Sequence, residues 1–169
     1  MSKKTNKDFW NIFYKKKLAV SKPSNFAVFV KKFLKNYSST IIDVGCGNGR
    51  DLFYFKKNKF DIMGIELSKN AVSLIKKGLK NIKDKKKIIH SDFASFDYKK
   101  NVKKKFSIYS RFTWHTINER SEGTLLKKIS KIPNLEYIFV ETRSDKDELC
   151  GVGKKISKNE FVTDHYRRF

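Results

Sequence analysis

Apolar runs alternate along this chain with stretches in which apolar residues recur at helical intervals. Ile41-Ile42-Asp43-Val44, Phe60 to Glu66, Lys87 to Phe93, Phe106 to Ser110 and Leu135 to Glu141 are short, rich in Ile, Val, Phe and Tyr, and read as buried strands. Between them, Arg50 to Lys57, the stretch after Ser68 and Ser121 to Ile132 carry helical patterns. Ahead of the first strand, Pro23 breaks the chain. Ser24 then caps a helix whose apolar positions are Phe26, Phe29, Val30, Phe33 and Leu34, a face expected to pack on the sheet. Ala71, Val72, Leu74 and Ile75 share one side of the helix after Ser68, which Gly78 closes. Strands alternating with helices predict an α/β fold on a parallel sheet.

The most informative stretch runs from Ile41 to Asp51, where the first strand ends in Asp43 and then in Gly45, Gly47 and Gly49, with a helix starting at Arg50. Glycines at alternate positions let the backbone take positive φ and let a ligand approach closely, and a helix start offers unpaired N–H groups to acceptor atoms. The spacing fits neither the dinucleotide fingerprint nor the phosphate loop. The second strand ends in Glu66, about 20 residues on, where a carboxylate can take both vicinal hydroxyls of a ribose. The third stretch ends in Asp92 and Phe93. Ligands of open α/β sheets sit beyond the carboxyl ends of the strands, so Ser110, Arg111 and His115 are expected to face a cleft, and Glu141 and Arg143 reach the same edge.

Composition changes this picture in one respect. The 169 residues suffice for one domain, and the formal charge of +22 invites a nucleic-acid reading. Heavy use of Lys, Asn, Ile and Phe also fits the drift of an AT-rich genome. Lys15 to Lys17, Lys85 to Lys87 and Lys103 to Lys105 fall between periodic segments and read as solvated loops. Arginine is therefore the informative cation. Of 39 basic residues only Arg50, Arg111, Arg120, Arg143, Arg167 and Arg168 are arginine, whose planar fork binds carboxylate or phosphate in two parallel bonds. Cys46 and Cys150 form no metal-ligand pattern, so no metal is expected. No signal-like h-region and no run of roughly 20 apolar residues is present, and a cytoplasmic protein without a membrane span is expected.

The run Asp43-x-Gly45-x-Gly47-x-Gly49, followed by Glu66 and by Asp92-Phe93, resembles the class I methyltransferases that use S-adenosylmethionine and release S-adenosylhomocysteine. The resemblance implies a Rossmann-like, three-layer α/β/α fold with a mostly parallel sheet in the order 3-2-1-4-5. It makes Asp43, Gly45, Cys46, Gly47, Asn48, Gly49, Arg50, Glu66, Leu67, Asp92, Phe93 and Ser110 the cofactor residues. Asp43 would serve the cofactor ammonium, Glu66 the ribose, Asp92 the adenine amino group, and Phe93 would line the adenine pocket. Further blocks extend the likeness to small bacterial methyltransferases of capsule and lipopolysaccharide biosynthesis: Trp10 to Tyr14, Pro23 to Ala27, Tyr109 to Phe112 with His115, Glu141-Thr142-Arg143 with Asp147-Glu148-Leu149, and Asp164 to Phe169. Family members usually continue into strands 6 and 7, which are missing here, so a truncated or short variant is expected. The chain divides into an N-terminal lid and helix over 1–40, a cofactor-binding core over 41–141 and a substrate-side tail over 142–169.

The acceptor is expected to be a small, anionic molecule such as a phosphate or a phosphorylated sugar or nucleotide. Tyr14, Arg111, His115, Arg143, His165, Arg167 and Arg168 are its candidate ligands. Arg111 is the orienting cation, and His115 or His165 the base for a hydroxyl, since histidine titrates near neutrality. The alternatives are an RNA methyltransferase, disfavoured because the basic runs lack interleaved aromatics, and a non-catalytic cofactor-binding subunit. The oligomeric state is open.

Overall fold

The structure is a computed structural model that describes residues 6–15, 22–34 and 39–142. Its frame is a parallel sheet of β1 (Thr40–Val44), β2 (Ile62–Glu66), β3 (Ile88–His90), β4 (Phe106–Arg111) and β5 (Leu135–Glu141), ordered β3-β2-β1-β4-β5 as expected. The helices are α1 (Asn6–Lys15), α2 (Asn25–Phe33), α3 (Arg50–Lys57), α4 (Lys69–Gly78), α5 (Ile82–Lys86), α6 (Tyr98–Asn101) and α7 (Glu119–Ile129), with a 3₁₀ turn over Trp114–Thr116.

Strand periodicity sorts the core into two layers. Ile41, Ile62, Ile88 and Tyr109 point to one face, where they meet Ala27, Val30 and Leu34 of the α2 region, Leu52 and Phe55 of α3, and Val72 and Ile75 of α4. Ile42, Val44, Phe106 and Ile108 point the other way, onto Tyr98, Val102, Leu125 and Ile129. Both faces of the central strands are covered, which is why they read as unbroken apolar runs.

Several expectations are corrected. The inner stripe of α2 is Ala27, Val30 and Leu34, while Phe29 is 56% exposed and Phe33 flanks the helix with its ring edge-on to Tyr137 and Phe139 of β5. The apolar face of α2 is wider than its seat on the sheet. Gly78 does not close α4 as a left-handed cap, because the cap is Leu79 in extended conformation. A Cβ at Gly78 would stand 2.8 Å from Phe53 Cζ, so close packing explains the glycine. β2 starts at Ile62 and β3 stops at His90, so Asp92 lies beyond its strand. Lys85 and Lys86 belong to α5, and Lys87 pairs with Asp61 rather than standing free in a loop. α7 starts earlier than its apolar pattern, at Glu119, because the side chain of Asn118 caps it by accepting from Ser121 N–H.

Ser24 caps α2 by accepting from Ala27 N–H at 3.0 Å, and its hydroxyl donates to Asp51 at 2.9 Å. Ser24→Ala removes both bonds and leaves the buried Asp51 short of one donor. It should lower stability by about 2 kcal/mol, read as a shift in the urea midpoint at constant m-value.

Candidate functional site

The three glycines after β1 have φ of +67°, +56° and +81°, a left-handed run that side-chain-bearing residues rarely sustain. Gly45 N–H donates to Ile65 O at 2.8 Å and Gly49 N–H to Cys46 O at 2.8 Å, closing the turn onto β2. Gly47 N–H donates to Glu66 Oε2 at 2.8 Å, and Ser68 N–H donates to Oε1 at 2.7 Å. Glu66 therefore joins the loop to the start of α4. Two of these glycines also admit close neighbours. A Cβ at Gly45 would lie 2.3 Å from Thr113, and one at Gly47 would lie 2.3 Å from the Tyr14 hydroxyl.

The loop forms the floor of a cavity of about 670 Å³. Its floor and near wall carry Asp43, Gly45, Cys46, Gly47, Asn48 and Arg50. Glu66, Leu67, Ser91, Asp92 and Phe93 line it past the ends of β2 and β3, Trp10 and Tyr14 line it from α1, and Arg111, Phe112, Thr113, Thr116 and Ile117 line it at and past the end of β4. The cavity is within the size range of small-molecule sites. α1 reaches it because Ser68 Oγ donates to Asn11 Oδ1 and Asn70 Nδ2 donates to Asn11 O, each at 2.8 Å, which brings Tyr14 over Gly47.

The charge balance of the site is unusual. Asp43, Asp51 and Glu66 are 4%, 5% and 6% exposed. Burial, and after it the nearby carboxylates of Asp51 and Glu66, push the Asp43 carboxyl well above the usual range, with Arg50 pulling it back. Burial also raises Glu66, against the backbone N–H groups of Ser68, Gly47 and Leu67. The Tyr14 hydroxyl and the Cys46 thiol are raised by burial and then by the carboxylates of Asp43 and Glu66.

Asp51 gathers donors from distant parts of the chain. Oδ1 accepts from Ser24 N–H at 2.8 Å and lies 3.3 Å from Arg50 Nε, while Oδ2 accepts from Ser24 Oγ at 2.9 Å and from the Tyr109 hydroxyl at 2.8 Å. At the ends of β4 and β5, Arg111 Nε pairs with Glu141 and the guanidinium lies 4.0 Å over the Phe112 ring. Phe112 takes φ of +52°, a strained conformation for an aromatic residue, and its N–H donates to Glu141 O.

Ten of the residues expected at a cofactor site line this cavity: Asp43, Gly45, Cys46, Gly47, Asn48, Arg50, Glu66, Leu67, Asp92 and Phe93. Gly49 and Ser110 do not. Gly49 packs against Ile75 and Phe53. Ser110 is fully buried on the other face of β4, because strand alternation sends it with Ile108 rather than with Tyr109 and Arg111. Of the acceptor-side candidates, Tyr14 and Arg111 line the cavity, and His115 lies in the 3₁₀ turn next to it. Arg143, His165, Arg167 and Arg168 lie outside the described residues, as does Cys150. Sequence reasoning missed Asp51, Ile65, Ser91, Tyr109, Phe112, Thr113, Thr116 and Ile117 as cavity residues. Of these, Asp51, Tyr109 and Phe112 stand in the stretches that carry the family resemblance. Among the described residues no group of acids, histidines or cysteines has the arrangement of a metal site, and no helix is long and apolar enough to cross a membrane.

This fold recurs in solved structures. The glycopeptide N-methyltransferase MtfA complexed with sinefungin superposes with a TM-score of 0.56 at 17% identity, over 70% of this chain and 47% of that one. The plantazolicin methyltransferase BpumL, with a desmethyl analogue and SAH, gives 0.54 at 22% identity over 70% and 44%. DesVI of Streptomyces venezuelae gives 0.54 at 20% identity over 85% and 59%. The chain thus spans about half the length of these neighbours. None of the curated proteins is similar to it in sequence at a significant level. The profile of the methyltransferase domain matches residues 41–133, more than half of the chain and the whole of the glycine loop with the acids of the cavity, and the protein belongs to that methyltransferase-domain family, with the class I fold.

Proposed function

We propose that the protein is a methyltransferase that uses S-adenosylmethionine and releases S-adenosylhomocysteine. The observation that carries this reading is the buried trio Asp43, Asp51 and Glu66, with Arg50 as the cation the cavity sets beside it. Such a site is short of positive charge. A ligand bearing an ammonium and a sulfonium supplies it, while the positive-φ loop leaves room for close approach. The neighbours' complexes with sinefungin, S-adenosylmethionine and S-adenosylhomocysteine support the same ligand class.

Each residue then has a task. Glu66 Oε2 takes Gly47 N–H and Oε1 takes Ser68 N–H, and the carboxylate keeps acceptor capacity for ribose hydroxyls. Leu67 and Phe93 offer apolar walls to the adenine, and Asp92 an acceptor for its amino group. A cofactor held there would supply an electrophilic methyl to an acceptor lone pair, with its sulfur as the thioether leaving group. Trp10 and Tyr14 cover the loop and exclude water, and alignment of the two reactants supplies roughly 7 to 11 kcal/mol of the barrier.

The charge deficit gives a pH signature. Folded Asp43 and Glu66 hold protons at pH values where the unfolded chain has lost them, so without ligand they lower stability as pH rises above the ordinary carboxylate range. A cationic ligand favours the charged carboxylates, so binding releases protons and tightens with rising pH. Calorimetric titration with S-adenosylmethionine in buffers of different ionisation enthalpy measures this directly. Proton uptake, or no binding, would remove the reading.

The acceptor is small and anionic in this proposal, a phosphate or a phosphorylated sugar or nucleotide precursor of a surface polysaccharide. Support comes from Arg111 on the cavity wall, steadied by Glu141 and by the Phe112 ring. An oxyanion needs no base. A hydroxyl acceptor needs one, for which His115 and His165 have the right chemistry, and Arg143, Arg167 and Arg168 are further candidates for binding the anion. A second reading, RNA, draws on a separate surface groove lined by Lys69, Lys76, Lys77, Lys85 and His90. Incubation with labelled cofactor and a cell extract separates the two. Label is expected in small metabolites retained by an anion exchanger; label in RNA, lost steeply with added salt, would favour the second reading.

A further inference from the structure

Among the described residues β5 is one edge of the sheet and β3 the other. Sheets guard their edges with short strands, lysines or prolines, since an open row of N–H and C=O groups invites another chain. β3 follows that rule: it has three residues and comes directly after Lys85, Lys86 and Lys87. β5 does not. It has seven residues, Leu135 to Glu141, with no lysine and no proline in a chain otherwise crowded with lysine. Its two acids are already matched, Glu136 to Lys105 and Glu141 to Arg111. Apolar surface is left on both of its faces. Ile138 and Val140 are each 39% exposed on one. On the other, Tyr137 and Phe139 meet the ring of Phe33, and Phe29 continues the row with its centroid 6.4 Å from that of Phe33.

The backbone narrows what fits there. Phe112 N–H donates to Glu141 O, so Glu141, and by alternation Phe139 and Tyr137, direct their amide groups to β4. Glu136, Ile138 and Val140 direct theirs to the open side. An antiparallel strand has to meet these three with outward groups of its own, and β5 itself does so when turned about Ile138. Ile138 then faces Ile138 of the second copy, Glu136 faces Val140, and Tyr137 faces Phe139. The whole strand is paired and no carboxylate meets another. Tyr137 and Phe139 fall at the non-hydrogen-bonded positions, where facing side chains lie closest and aromatic pairs stabilise the ladder. Any other register that keeps outward groups together shortens the ladder. We propose that β5 is a homodimer interface in which two copies of this chain pair antiparallel about Ile138, joining their sheets into one, with Phe29 and Phe33 flanking the seam.

Sedimentation equilibrium on the full chain at micromolar concentration should give a dimer, and Ile138→Lys should give a monomer with unchanged far-ultraviolet circular dichroism. Cysteine pairing tests the register. In a Cys150→Ser background, Ile138→Cys sets two thiols opposite each other at a Cα separation of about 5.5 Å, within reach of a disulfide. Val140→Cys sets them about 14 Å apart along the seam, at roughly 3.4 Å per residue, beyond that reach. Mild oxidation should therefore cross-link Ile138→Cys and spare both Val140→Cys and Ile82→Cys, the latter an exposed position beside the other edge of the sheet. Should Ile138→Lys lose its fold, the cross-linking decides alone. A monomeric wild type would overturn the proposal and leave the edge to residues 143–169 or to another protein. A dimer that survives Ile138→Lys, or Val140→Cys that cross-links as fast as Ile138→Cys, would overturn it too. None of these outcomes bears on the cofactor reading, which calorimetry tests separately.

Discussion

Gly45→Ala should destabilise the protein by about 4 kcal/mol and abolish cofactor binding. Two costs combine. A left-handed backbone at φ of +67° penalises an alanine by roughly 1 to 2 kcal/mol. The new methyl would also stand 2.3 Å from Thr113 Oγ1 and Cγ2 and 2.8 Å from its Cβ, and overpacking of this kind costs roughly 1 to 3 kcal/mol. Thr113 cannot swing aside cheaply. Its Cβ is part of the clash, and its backbone is tied into the 3₁₀ turn through Thr116 N–H. The costs can be separated by a double-mutant cycle, because Thr113→Gly removes every atom of the clash and none of the backbone strain. In that background the penalty should fall to the strain alone, about 1 to 2 kcal/mol by urea unfolding. A Gly45→Ala protein as stable as the wild type would mean that the loop lies elsewhere than described.

The second large effect is at Glu66. Glu66→Gln preserves shape and removes the charge, yet no orientation of the amide fits, because both carboxylate oxygens accept backbone N–H groups. Whichever way the side chain turns, its NH₂ meets Gly47 N–H or Ser68 N–H, donor against donor. Charge-assisted bonds of this kind contribute roughly 1.5 to 3 kcal/mol, and the ribose hydroxyls lose an acceptor as well. S-Adenosylhomocysteine affinity should drop by about a hundredfold, near 2.7 kcal/mol. Without ligand, stability should vary less steeply with pH. The wild-type carboxyl holds its proton above the usual range and costs stability once ionised, and glutamine does not ionise. Retained affinity together with an unchanged pH slope would show that Glu66 does not close the site.

The parts that were legible in the sequence are those that local chemistry fixes. The parallel sheet followed from alternating strands and helices, its strand order from the family resemblance, and the loop from glycines that must take positive φ. Glu66 announced itself at the end of an apolar run. Short helices did not, since α5 and α6 depend on the caps Asn81 and Asp97 rather than on any apolar period. Ser110 was misjudged although its strand was right. Strand residues alternate between faces, and one position decides between cavity and core.

The sequence by itself determined the parallel sheet and the positive-φ loop at Gly45 to Gly49, because each depends on conformational limits of a few consecutive residues, and the motif along that loop carried the family resemblance. Tertiary structure alone decided that Tyr14 covers Gly47, that Thr113 excludes a side chain at Gly45, and that Ser24 and Tyr109 meet on Asp51, 27 and 58 residues away along the chain. Those meetings depend on how α1 is held against α4, how α2 seats on the sheet and on the β1–β4 register, and side chains so far apart in sequence carry no local signal of the neighbour they will find.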